Sequence, residues 1–193
     1  LHHKHGMLDS FLGSFAQSIL KGTHRQMMVV KCLMPVNTMR RLMVAVPPKA
    51  EFEAGFYKWV ERLARIGGQL GCRVHFWAHP DTILRINGYL KKFHGNVRVE
   101  FSPMDDWDDL LLMSSKVAYD HLVVIVSARK GAISYQSSFE ELPNQISKYF
   151  SNCSLMLIYP DQLGDPLENL TFSSPRGQSE NRIYDHVSKW VYK

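Results

Sequence analysis

Apolar and polar positions alternate between two rhythms through the middle of the chain. Short apolar runs at 27–34, 41–46, 72–78, 97–101, 121–126 and 153–159 read as strands. The segments between them follow a helical period. From 51 to 66, Phe52, Phe56, Trp59, Leu63 and Ile66 recur at intervals of three and four, the pattern of a helix with one buried stripe. Asp81 or Thr82 is expected to cap a second, short helix that runs to about Phe93, with Ile83, Ile86 and Leu90 inward. A third, 105–117, carries acid in its first turn. A fourth, 139–149, turns Leu142 and Ile146 inward and holds Pro143 in its first turn, where proline is tolerated. Pro47-Pro48 ends the strand 41–46, because proline cannot donate to a ladder. Gly67-Gly68 and Gly71 weaken the end of the first helix.

Strands alternating with helices imply right-handed crossovers and a parallel sheet. The fold class expected for 39–160 is α/β, a doubly wound five-stranded parallel sheet with four helices. Two further pieces flank it. Before it, Phe15, Ile19 and Leu20 sit at helical spacing, Gly22 is a stop, and the apolar run 27–34 ends at Pro35. After Pro160 the chain turns polar, and Ile183, Val187 and Val191 suggest a last amphipathic helix docking on a neighbour. Self-similarity accounts for the first piece. Aligning Gly6 with Gly131 also aligns Pro35 with Pro160, and each segment runs through a helix into an apolar strand. Residues 1–38 therefore read as the closing helix and strand of a truncated first repeat, 39–160 as a complete domain, and 161–193 as a linker and helix. An orphan strand exposes unpaired backbone, so it is expected to add to the edge of this domain or to a second copy of the chain.

Composition narrows the class. The chain has 193 residues and is 45% hydrophobic, enough for one full core. No apolar run approaches the roughly 18–20 residues of a membrane span, and no leader pattern opens the sequence. Cys32, Cys72 and Cys153 fit neither a disulfide framework nor a zinc motif and read as reduced, buried thiols. The net charge of +5 sits in residues 1–41, where Lys4, Lys21, Arg25, Lys31, Arg40 and Arg41 face only Asp9. Such a segment suits nucleic acid or an anionic surface. A solvated basic face is the reading adopted here, with no nucleic-acid partner.

The candidate chemistry lies after the strand 121–126. In α/β proteins, loops leaving the carboxyl ends of central strands bind ligands. The loop 127–138 carries Ser127, Arg129, Lys130, Gly131, Ser134, Ser137 and Ser138, the inventory of an anion cradle. Other clusters have plainer readings. Asp105, Asp106, Asp108 and Asp109 match no calcium loop and suit a helix N-terminus. His2, His3 and His5 lack accompanying ligands at metal spacing. His75, His79 and His121 read as structural, and Trp59, Trp77 and Trp107 as core. No G-x-S-x-G, Walker or H-E-x-x-H motif occurs.

The phrases VNTMRRLMVAVPPKAE, DDWDDLLLM, VSARKGAISYQSSFEELP and LIYPDQ, together with a fourth strand opening into this loop, resemble the universal stress protein-like cytosolic tail of bacterial monovalent cation/proton antiporters. The resemblance implies the stress protein/adenine nucleotide alpha hydrolase-like fold. It also implies a regulatory, nucleotide-sensing and dimerising role at the cytoplasmic face of the inner membrane, and no enzyme. The partners implied are the transmembrane part of a sodium or potassium/proton antiporter in the same polypeptide and a second copy of the chain. ATP, AMP or a cyclic dinucleotide is the implied ligand. It would be held by Ser127, Arg129, Lys130, Gly131, Ser134, Ser137 and Ser138, with Val46, Pro47 and Ala78 around the base. The alternative is a stand-alone nucleotide-binding stress protein with weak ATPase activity. This chain departs from the nucleotide-binding pattern. Val46-Pro47-Pro48 stands where those members place an aspartate. Ser127 and Lys130 replace the first two loop glycines, and Ser138-Phe139 replaces the closing G-[ST].

Overall fold

The computed structural model describes residues 22–163, together with residue 19. Six strands form one sheet: β1 (Met27–Lys31), β2 (Arg41–Ala45), β3 (Arg73–Ala78), β4 (Val99–Pro103), β5 (His121–Val126) and β6 (Ser154–Tyr159). Four α-helices accompany them: α1 (Phe56–Leu70), α2 (Pro80–Phe93), α3 (Leu110–Ser114) and α4 (Leu142–Tyr149). The spatial order is β1-β6-β5-β2-β3-β4. Every pair from β6 to β4 is parallel, and β1 lies antiparallel on β6.

The chain leaves β2 outward through β3 and β4, then returns to β5 on the other side of β2 and moves out to β6. That reversal puts the helices on both faces. Phe56, Trp59, Val60 and Leu63 of α1, with Ile86 and Leu90 of α2, pack on Leu42, Val44, Val74, Phe76 and Val124. Leu110, Met113, Leu142 and Ile146 pack on the opposite face, against Met43, Ala45, Val123 and Ile125. Successive residues of β2 and β5 point to opposite faces, and both faces are covered. This is why these two strands are apolar at consecutive positions rather than at alternate ones.

The sixth strand is the one that sequence pattern leaves without a sheet. β1 zips along β6 from Met27 opposite Tyr159 to Lys31 opposite Leu155. It adds to the edge of this domain, so the sheet is six-stranded and mostly parallel rather than five-stranded. The outer edge of β6 is occupied by β1 of the same chain. The helix expected before β1 and the one expected near the chain end lie outside the described residues.

Three expectations change. The first helix starts at Phe56, not at 51. Residues Ala50–Phe52 form a single 3-10 turn, and Phe52 is left 65% exposed, off the buried stripe. Gly55 is the N-cap, and a Cβ there would lie 2.5 Å from the backbone nitrogen of Asp161, so only glycine fits at this start. The same helix runs through Gly67-Gly68 and ends where Gly71 adopts a left-handed φ of 63°. The acid-rich segment divides into a 3-10 turn, Trp107–Asp109, and the short α3. Asp106 and Asp109 close a reciprocal capping box there, which accounts for two of the four aspartates. Finally, Cys72 is buried but Cys32 is exposed, and all three thiols are free.

Candidate functional site

β2 and β5 lie side by side and parallel, Ala45 opposite Ile125. Their carboxyl ends, where the strand order reverses, are the expected ligand crevice. Val46, Pro47, Ala78 and Ser127 all lie there and are buried. Two of their backbone N–H groups are already paired: Val46 donates to Trp77 and Ser127 to Ile158.

Three residues of the loop after β5, Arg129, Lys130 and Ser134, have their donors engaged. The backbone N–H and the hydroxyl of Ser134 both donate to one carboxylate oxygen of Glu53, each at 2.8 Å. Ser134 is buried, 1% exposed. A carboxylate from the loop after β2 thus occupies the cradle where a phosphate oxygen was expected. Arg129 donates to the carbonyl of Pro160 and, at 2.8 Å, to that of Arg25, and its guanidinium lies 5.9 Å from the Tyr159 ring. Burial pulls its pKa down, against the pull of Tyr159 and Asp161. Its role is to fasten the segment before β1 to the end of β6. Lys130 pairs with Glu140 at 2.9 Å on the surface, and that hydrogen bond raises the lysine pKa and lowers the glutamate's. Gly131 takes a left-handed φ of 90° in open space. Ser137 and Ser138 begin a 3-10 turn whose N-cap makes no side-chain hydrogen bond.

A second fastening lies beside it. Asp161 is 1% exposed, receives Lys58 Nζ at 2.6 Å and the Leu163 N–H at 3.0 Å, and faces Arg25 at 3.8 Å. Burial works to raise its pKa, but the Lys58 and Leu163 hydrogen bonds outweigh that and hold it below the usual value.

The open space at this end of the sheet lies one loop over. A cleft of about 830 Å³ opens between the loop after β2 and the start of α2. Lys49, Phe52 and Tyr57 form one side, and His79, Arg85 and Tyr89 the other. Tyr57 and Tyr89 pack with ring centroids 4.9 Å apart, an aromatic shelf. Tyr89 is held in place by its hydroxyl, which donates to Glu61 at 2.8 Å; Glu61 also receives Arg65 at 2.6 Å and bonds His94. Burial first, and that bond second, raise the Tyr89 pKa, so the hydroxyl stays protonated. Lys49 has a φ of 67°, an uncommon conformation for a residue with a Cβ. The turn Ala50–Phe52 separates the two regions: Glu51 and Phe52 line the cleft, while Glu53 reaches the other way to Ser134.

Val46, Pro47 and Ala78 immediately precede the loops that shape this cleft. The phosphate-side residues Arg129, Lys130, Gly131, Ser134, Ser137 and Ser138 do not line it. Sequence reading missed Lys49, Tyr57, Arg85 and Tyr89. Only Lys49 carried a signal, its place just past the end of β2; Tyr57, Arg85 and Tyr89 lie on the helices that follow β2 and β3 and meet only in the fold. Among the described residues no group of three or more histidine, cysteine or acidic side chains is placed to hold a metal. No protein-family model and no curated protein matches the chain.

Proposed function

We propose that this chain is a non-enzymatic regulatory module of the universal stress protein type, the cytoplasmic part of a monovalent cation/proton antiporter, and that it senses a nucleotide in the cleft between the loop after β2 and α2. The observation that supports the reading best is the way β1 joins the sheet. Under the alignment of Gly6 with Gly131, Val30 matches Leu155 and Lys31 matches Met156. The observed register pairs Val30 with Met156 and Lys31 with Leu155. Any antiparallel pair has a local two-fold axis; in this register it falls inside the stretch that the alignment matches. This is how the last strand of one repeat would meet the last strand of its sibling.

The site chemistry agrees with binding rather than turnover. The cradle expected to hold phosphates is filled by Glu53, and no acid follows β2 at the Val46-Pro47-Pro48 corner. The open cleft offers an aromatic shelf for a planar ring, and Lys49 and Arg85 for its anion, beside Glu51 and Asp81 on the same lining. Ligand binding regulates transport only if it differs in strength between two states of the whole protein. Among the described residues no helix is long and apolar enough to cross a membrane. On this reading the span belongs to the rest of the polypeptide.

Antibodies raised against this chain test the context in fractionated source cells. The antigen is expected in the membrane fraction at a mass well above that of 193 residues. A band of that mass in the soluble fraction contradicts the antiporter reading and favours the stand-alone stress protein.

A further inference from the structure

The opposite end of the sheet carries a second recess, and its lining is basic. At the amino ends of the strands a cleft of about 590 Å³ is bounded by Arg40, Arg41, Arg73, Arg98 and His121, with Asn37 at its rim. The register explains the convergence. Arg41 on β2 lies directly opposite Arg73 on β3 and opposite His121 on β5. Like charges facing across adjacent strands destabilise a sheet, so this row needs compensation.

The protein supplies only part of it. Glu100 takes Arg41 at 2.9 Å and Arg73 at 3.0 Å, one carboxylate for two guanidinium groups. The Asp120 carboxylate lies 3.7 Å from His121. Arg98 donates to the Gly71 carbonyl, which carries no charge. Arg40 makes no side-chain hydrogen bond or ion pair among the described residues. Among the described residues, then, two arginines border the recess with no carboxylate partner. Burial lowers the pKa of both His75 and His121, so neither adds charge near neutral pH.

We propose that this amino-end recess binds a phosphate group. The guanidinium forks of Arg40 and Arg98 would take its oxygens, while Arg41 and Arg73, held by Glu100, add to the field. The phosphate could belong to a soluble anion or to a phospholipid headgroup, and both present the same oxygens. The inference is independent of the nucleotide cleft, which lies at the other end of the strands.

Pyrophosphate titrated calorimetrically into the 193-residue chain, and sedimentation with vesicles of phosphatidylcholine alone or mixed with phosphatidylglycerol, test it together. The wild type is compared with R40Q/R98Q, and with K148Q as a charge control that lines neither cleft. Pyrophosphate binding that weakens at least about tenfold in R40Q/R98Q and is unchanged in K148Q supports a site for a soluble anion. Sedimentation only with phosphatidylglycerol vesicles, lost in R40Q/R98Q, supports a headgroup site. Thermal melting of R40Q/R98Q at the wild-type temperature establishes that the substitutions act on binding and not on folding. If neither pyrophosphate nor anionic vesicles bind, or if both bind R40Q/R98Q as well as the wild type, the proposal is overturned.

Discussion

Glu53 decides the character of the loop after β5. Its carboxylate receives two donors from Ser134, which is almost fully buried. Removing the acceptor leaves a buried N–H and a buried hydroxyl unpaired. Glu53→Ala should therefore cost about 1–3 kcal/mol in urea unfolding. A loss below a few tenths would mean that the loop is not closed by this residue. The contact also marks what sequence reading could not reach. Glu53 and Ser134 are 81 positions apart. Periodicity describes each segment alone and says nothing about a carboxylate meeting a distant serine. The same holds for Arg41 and Arg73, which look like scattered surface charges until strand register sets them opposite one another. The loop's composition was legible as an anion cradle, but not that the anion is a side chain of the same chain.

At the scale of elements, the strands and their order are the most readable part. The ends of β2, β5 and β6 fall within a residue of the apolar runs, because strands covered on both faces are apolar throughout. The first helix starts five residues later than its apolar spacing predicts, because Ala50–Phe52 forms a 3-10 turn that leaves Phe52 off the buried stripe. Strand β1 has the largest consequence. All six residues of β6 are buried, and β1 covers an edge that would otherwise be open. Val29 pairs with Leu157 and packs against the second face of the core. Val29→Asp puts a charge into that contact and should release β1. The amides of Ser154–Tyr159 should then lose hydrogen-exchange protection, and light scattering should show self-association through the bared edge. Unchanged protection in β6 would mean that β1 contributes little to the sheet.

At the scale of the whole molecule, acid should destabilise the fold in two stages. His75 and His121 have pKa values below the ordinary 6.5, chiefly because burial disfavours the charged form; Glu100 and Asp120 oppose that, and Arg41 adds to it. Below pH 6.5 the unfolded chain takes up protons that these two histidines resist, so stability falls as pH drops. Asp161 and Glu61 have lowered pKa values despite burial, through Lys58 and His94 respectively. Their contribution is full above the ordinary carboxylate values of 3.8 and 4.5 and is lost below them. The melting temperature should decline first from pH 6.5 downward and again near pH 4, with His75→Gln flattening the first decline and Asp161→Asn the second. A level profile from pH 7 to 5 would contradict the histidine assignment. The most direct measurement for the account as a whole is a calorimetric titration of the chain with ATP, AMP and a cyclic dinucleotide, repeated on Arg85→Ala and Lys130→Ala. The account predicts saturable heat for at least one ligand, weakened about tenfold or more by Arg85→Ala and untouched by Lys130→Ala. Binding that Lys130→Ala abolishes and Arg85→Ala spares, or no heat at millimolar ligand, would contradict it.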